Sequence, residues 1–213
     1  PNSGYRSTFN HDTEIAQVDY YSVLLEDYNI LAELTTSPRV GFHQYTFPKT
    51  DSANIIFDLM AGIYNYEDKN VWTFLRVEND TLVTGYRQTS GWARTKTVYF
   101  AMVFSKPIVN YGHEKYDSSV YNGFWRKFDE KKNFPEMAGK DLRAYFNFDA
   151  HKGEQIQIKV ALSSVSSSGA IKNLQAEIPH WDFAKTRTET QTKWNRELSK
   201  IDVATISESD KIN

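Results

Sequence analysis

Leu142–Phe148 (LRAYFNF) and Gln155–Leu162 (QIQIKVAL) decide what kind of fold this chain adopts. In the first, Leu142, Ala144, Phe146 and Phe148 alternate with Arg143, Tyr145 and Asn147. In the second, Ile156, Ile158, Val160 and Leu162 alternate with Gln157, Lys159 and Ala161. Successive side chains of a strand point to opposite faces, so this period marks strands with one dry and one wetter side. The two segments read as an antiparallel, half-buried pair.

The same signal recurs upstream. Tyr20–Glu26 (YYSVLLE) and Ile30–Thr36 (ILAELTT) flank Asp27-Tyr28-Asn29. Tyr21, Val23 and Leu25 share one face, and Ile30, Ala32 and Leu34 share one face of the partner, which predicts a hairpin. Val40–Phe47 (VGFHQYTF) is a further strand, and Asn54–Met60 (NIIFDLM) follows a polar turn at Lys49–Ser52. Val71–Val77 and Thr81–Arg87 are joined by Glu78-Asn79-Asp80. Val98–Ser105 (VYFAMVFS) is apolar on both faces and reads as a central strand. Tyr111–Ala138, with Gly112, Gly123, Pro135 and many charges, reads as a long loop or a weakly paired hairpin. About nine strands without intervening helices predict a mainly β fold, an antiparallel β-sandwich.

Near residue 166 the pattern changes. Ser167 or Ser168 caps a short helix running to Glu177, with Ile171, Leu174 and Ile178 on one side, and Pro179 ends it. Trp181, Ala184, Thr188, Gln191, Trp194, Leu198 and Ile201 then recur at helical spacing. The expected reading is that this stripe, with Trp181 and Trp194, packs on the sandwich. Asp182 sits where the helix dipole favours an acid. The chain therefore divides into a sandwich, residues 1–165, and a C-terminal helical tail, residues 166–213.

Composition narrows the function classes. The net charge of −2 leaves no basic footprint for nucleic acid. No run of about 18 apolar residues is present, so no membrane-spanning helix is expected. There is no Cys, which excludes disulfides and thiolate metal sites. The segment PNSGYRSTFN lacks the basic start and apolar run of a signal peptide, and opening on Pro1 suggests a processed or cut N-terminus.

Chemistry-bearing patterns are sparse. His11, His43, His113, His151 and His180 offer no HExxH-type pair, no calcium loop is visible, and no G-x-S-x-G elbow occurs. His43, between Phe42 and Gln44, reads as a strand histidine satisfied by a hydrogen bond, and His11-Asp12-Thr13-Glu14 as a solvated turn. Gly91-Trp92-Ala93-Arg94 is more suggestive: a tryptophan beside an arginine offers a sugar a stacking face and a hydrogen-bonding fork. The competing reading folds Trp92 over a sheet edge and leaves Arg94 solvated. No constellation supplies both an acid and a base.

Several stretches together resemble one family. They are Asn10–Ala16 with Tyr20–Val23; Ala32–Thr36 with Arg39–Pro48 (RVGFHQYTFP); Ser90–Ala93 with Val98–Phe100 and Phe104–Pro107; and Asn173–Ile178 with Trp181-Asp182-Phe183, Trp194 and Leu198. In this order they resemble the N-terminal domain of glycoside hydrolase family 92, the exo-acting α-mannosidases. The resemblance implies a sandwich joined by a helical linker to a large (α/α)6 catalytic domain that carries a calcium-dependent, inverting hydrolysis of α-linked mannose glycans. Inverting chemistry needs two carboxyls about 6.5–9.5 Å apart to admit a water. The resemblance also implies secreted or periplasmic origin.

On this reading the acid, the base and the calcium ligands lie outside the sequence, so no catalytic residue, metal ligand or cofactor is assigned to this chain. Arg39, His43, Trp92 and Arg94 match family motifs with side chains suited to facing a sugar or the partner domain. Two other readings stay open: a freestanding carbohydrate-binding sandwich, and a structural or adhesion sandwich whose tail stripe packs fully on its own sheet.

Overall fold

The chain is described from a computed structural model, which covers residues 5–62, 69–115, 135–140, 142–151, 153–202 and 204. Among the described residues the strands are β1 (Ile15–Ala16), β2 (Tyr21–Leu25), β3 (Ile30–Thr36), β4 (Val40–Thr46), β5 (Thr50–Asp58), β6 (Asn70–Val77), β7 (Leu82–Thr89), β8 (Lys96–Phe104), β9 (Asn110–Lys115), β10 (Glu136–Gly139), β11 (Leu142–Ala150) and β12 (Gln155–Ser163). Two helices follow, α1 (Ser167–Glu177) and α2 (Phe183–Leu198).

The strands form two antiparallel sheets. The larger runs in the order β1-β2-β3-β4-β12-β8-β7-β6-β10, and the smaller in the order β5-β11-β9. The predicted hairpin is β2–β3, with Tyr21 opposite Leu34, Val23 opposite Ala32 and Leu25 opposite Ile30. Its turn needs a positive φ, which Asn29 supplies at 51°. β8 stands well inside the large sheet and is buried on both faces, through Phe100, Met102 and Phe104 on one side and Ala101 on the other. β5 begins at Thr50, so residues read as a polar turn belong to the strand.

The pair that opened the sequence reading is corrected in its partnership. β11 and β12 do not hydrogen-bond to each other: β11 pairs with β5 and β9, and β12 with β4 and β8. They face each other across the sandwich. Leu142, Ala144, Phe146, Phe148 and Ala150 point from one sheet, Ile156 and Ile158 from the other, and all join one buried cluster. Alternation reports which face is dry and says nothing about the neighbour, so facing and pairing look the same in sequence. The chain leaves one sheet after Ala150 and joins the other at Gln155, and Gly153 between them takes φ 76°. That conformation suits a residue without Cβ.

The described ends of the segment read as a loop or weak hairpin are β9 and β10, which pair with β11 and β6 in different sheets. Its middle, residues 116–134, lies outside the described residues.

The supposedly wetter face of β12 is also corrected. Lys159 and Ala161 are buried there, under the helices. α1 is capped by Ser166, whose hydroxyl accepts from the Gly169 N–H, one residue earlier than expected. It starts at β7, where Ser167 Oγ donates to the Gly85 carbonyl, and packs across β8 and β12. Ala170, Leu174 and Ile178 form its buried side.

α2 begins at Asp182, which accepts from the Lys185 N–H at 2.9 Å. Its buried residues are Phe183, Thr186 and Thr190. The predicted stripe lies elsewhere: Ala184, Thr188 and Gln191 are exposed, as are Trp194 (45%), Leu198 (54%) and Ile201 (81%). Trp181 packs on the helix-side cluster, but Trp194 does not pack on the sandwich, and residues 191–200 are all exposed. The two tryptophans dominate the sequence pattern, whereas the face that docks is built largely from threonines.

Candidate functional site

The helices are held to the large sheet by directional contacts at their junction. Lys159, 3% exposed, donates from Nζ to the carbonyls of Ile178 at 3.1 Å and His180 at 3.3 Å. The same Nζ lies 3.9 Å from the centre of the Trp181 ring, which meets Phe42 edge to face. Burial lowers the Lys159 pKa, and two carbonyl dipoles and an aromatic face are what a buried ammonium requires. Farther along α2, Arg187 stacks over Tyr20 at 3.7 Å and pairs with Asp19. Thr190 Oγ1 donates to the Thr36 carbonyl.

Arg39 lies in the turn between β3 and β4 and belongs to this fastening. Its backbone N–H donates to Glu177 Oε2 at 2.9 Å, its Nε to Oε1, and Ser37 Oγ donates to Oε2 at 2.6 Å. Burial pushes the Glu177 carboxyl up, but these donors outweigh it and hold it below the usual carboxylate range. Arg39 therefore ties the end of α1 to the sheet while its own side chain stays 58% exposed.

His43 lies on β4 opposite Leu34 and Ile158, on the side facing the other sheet. Its Nδ1 shares a 3.0 Å hydrogen bond with the Tyr45 hydroxyl. Burial lowers the His43 pKa to about 4 and raises that of Tyr45 to about 12, so this is a neutral pair at pH 7.

Trp92 and Arg94 are exposed in the turn between β7 and β8, where the Gly91 N–H donates to the Ala93 carbonyl. Trp92 is fully exposed and does not fold over the sheet edge. Register places this turn and that of Arg39 at the same end of the large sheet, since Tyr99 opposes Ser163 and Val40 opposes Ala161. Three strand steps, about 14 Å, lie between β4 and β7, and β8 runs four residues past the level of Arg39, about 13 Å along the strands, before the Trp92 turn begins. The structure thus brings Trp92 and Arg94 together, sets Arg39 along the same rim, and leaves His43 inside the sandwich.

A feature the sequence did not suggest lies on the helix side of the sheet. Ser22, Glu33, Gln44 and Gln157 stand opposite one another across β2, β3, β4 and β12. Gln157 Nε2 donates to Gln44 Oε1, Gln44 Nε2 to Glu33 Oε2, and the Tyr20 hydroxyl to Glu33 Oε1, each at 2.8 Å. Glu33, Gln44 and Gln157 floor a cleft of about 380 Å³ whose walls include Trp181, Phe183 and Arg187. In sequence these are ordinary polar positions on a strand's wetter face, and only register shows that they align.

Comparisons with known proteins follow this architecture. The family model described as glycosyl hydrolase family 92 N-terminal domain matches residues 1–163. The one described as glycosyl hydrolase family 92 catalytic domain matches residues 169–213. A solved family GH92 alpha-mannosidase from Bacteroides thetaiotaomicron, in complex with mannoimidazole, superposes with TM-score 0.81 at 34% identity over 96% of this chain and 26% of its own. A family GH92 inverting mannosidase from the same organism superposes with TM-score 0.76 at 23% identity, over 93% of this chain and 24% of its own, and shows the shared fold. A protein named an uncharacterized secreted glycosidase, from Arthroderma benhamiae, is 24% identical over 93% of this chain and 27% of its own length. The chain thus spans about a quarter of the length of the relatives it matches. With the N-terminal-domain match covering most of its residues, from β1 through β12, the chain belongs to glycosyl hydrolase family 92.

Proposed function

We propose that this chain supplies the non-catalytic sandwich and first helices of an exo-acting α-mannosidase, supporting and flanking an active site carried mainly by an (α/α)6 domain. The observation that carries this reading is the order of the two family matches along one chain. They meet between β12 and α1, where the helices are clamped to the sheet by Lys159, Arg39 and Arg187. In this reading residues 1–165 are the sandwich and 166–213 the linker. The substrates are α-linked mannose glycans, hydrolysed with inversion. The complete protein is proposed to be secreted or periplasmic, and the name of the Arthroderma benhamiae relative supports the first.

The exposed Trp194, Leu198 and Ile201 favour this role over a self-sufficient structural sandwich, whose tail would be covered. Trp92 is the sandwich residue proposed to reach toward the sugar, with Arg94 beside it. Calcium belongs to the proposal for the complete enzyme only. Among the described residues no group of three or more His, Cys, Asp or Glu is placed to hold a metal ion, and calcium takes six to eight oxygens, so these residues do not fit such a site.

Mannose release from α-mannobiose in the presence of calcium tests the reading. The isolated chain is expected to release none, and turnover by the chain alone overturns the non-catalytic role. In a chain continued through the (α/α)6 domain, Trp92→Ala is expected to lower kcat/KM about tenfold or more with an unchanged melting temperature.

A further inference from the structure

The cleft beside the linker corner has the chemistry of a small-molecule site. It is a groove of about 380 Å³, open to solvent on one side. Its floor is preorganised, because each member of the Gln157–Gln44–Glu33 row is oriented by a hydrogen bond to the next, and Glu33 is held from the far side by Tyr20. Strand pairing sets the row's spacing at about 4.8 Å.

The internal bonds leave a defined remainder. Gln157 keeps its Oε1 and one amide hydrogen, Gln44 keeps one amide hydrogen and one lone pair on Oε1, and Glu33 keeps a lone pair on each oxygen. The row thus offers both donors and acceptors, with acceptors alone at the Glu33 end. Adjacent hydroxyls, each able to donate and accept, can use both. Trp181 and Phe183 add apolar walls for C–H surface.

Charge selects against anions. Glu33 and Asp182 both line the cleft, and its one cation, Arg187, already pairs with Asp19 and donates to Gln17. A carboxylated or phosphorylated ligand meets two carboxylates and an engaged guanidinium.

We propose that this cleft binds a neutral sugar through the Glu33–Gln44–Gln157 row and the Trp181 wall, as a non-catalytic site separate from the Trp92 turn. The choice of a mannoside as probe rests on the mannosidase reading, whereas the test reads binding at named side chains and not turnover, so the two fail separately.

The experiment is a titration of the isotopically labelled 213-residue chain, followed by nuclear magnetic resonance. Methyl α-mannopyranoside is the neutral probe and sodium glucuronate the charged one. The neutral probe is expected to shift the side-chain amides of Gln44 and Gln157 and the indole N–H of Trp181, saturating in the millimolar range, with the Trp92 indole unmoved. Glu33→Gln and Gln157→Ala are each expected to weaken binding about tenfold. If Glu33→Gln fails to fold, Gln157→Ala, at a half-buried position, carries the test alone. Absence of saturable shifts at these groups overturns the proposal. So does glucuronate binding as tightly as the mannoside, or wild-type affinity in a folded Gln157→Ala variant.

Discussion

Between the two sheets, Phe104 packs against Phe146 at 5.2 Å and Phe148 at 5.1 Å, and Phe57 meets Phe100 at 4.8 Å. On the other face of the same large sheet, Phe42 and Ala161 share their cover with Lys159, Thr186 and Thr190, and hydrogen bonds to backbone carbonyls do much of the fastening. The first region is non-directional and tolerates small rotations of one layer on the other. The second fixes an angle, because a lysine reaching two carbonyls or a threonine reaching one works only in one pose. Apolar packing makes the sandwich, and polar contacts aim the helices that leave it.

Phe146→Ala breaks the first region and carries the largest expected effect. It removes a fully buried ring from the inter-sheet contact and is expected to cost about 3–5 kcal/mol in denaturant unfolding, with strands and helices lost together. Retention of wild-type stability removes the distinction drawn here.

His43 tests the same region through pH. Its folded pKa lies near 4 against 6.5 in the unfolded chain, so the folded state binds fewer protons in that window. The associated stability is fully present above pH 6.5 and is lost progressively as pH falls toward 4. The full difference amounts to about 3 kcal/mol. His43→Gln is expected to flatten that part of the stability profile, and a profile as steep in the variant assigns the slope elsewhere.

Lys159→Met sharpens the contrast from the other side. It keeps the bulk and removes the donor from the Ile178 and His180 carbonyls, at an expected cost of about 1–3 kcal/mol. Hydrogen exchange is expected to quicken in α1 and α2 and to stay unchanged in β7 and β8. Equal quickening in all four elements shows that the two regions unfold as one. Arg39→Ala is the smallest: its side chain is mostly exposed, Glu177 keeps the Ser37 hydroxyl and the Arg39 N–H, and a loss below about 1 kcal/mol is expected in urea unfolding.

The same contrast explains what could be read from the sequence. Apolar alternation is visible one residue at a time, so most strands of the inter-sheet region, the β2–β3 hairpin and the central position of β8 are legible, whereas β9 and β10, short and set in the segment read as a loop, are not. Nor is partnership, because Phe146 alternates identically whether Ile158 lies beside it or across from it. The helix side is less legible still. Lys159, Gln44, Thr186 and Thr190 carry side chains expected in water, and burial becomes evident only once their partners are in place: backbone carbonyls for Lys159, Thr186 and Thr190, and the Glu33 carboxylate for Gln44. Trp194, the second tryptophan of the tail stripe, is exposed on a stretch of α2 that has left the sheet. Of the candidate residues, only Trp92 and Arg94 could be grouped in advance, because they share a turn.

β12 lies between β4 and β8, and that position orders events in time. The β1–β4 meander and the β6–β8 meander are each built from neighbouring hairpins, yet they touch within the large sheet only through β12. A ribosome has therefore released two half-sheets before it makes the strand that welds them, and local pairing runs ahead of the distant contacts. Chains ending before Gln155 are expected to show strand signal in circular dichroism without a cooperative thermal transition, and a sharp transition there excludes this order. Residues 155–163 act as a late keystone, and α1 follows at once to strap it down.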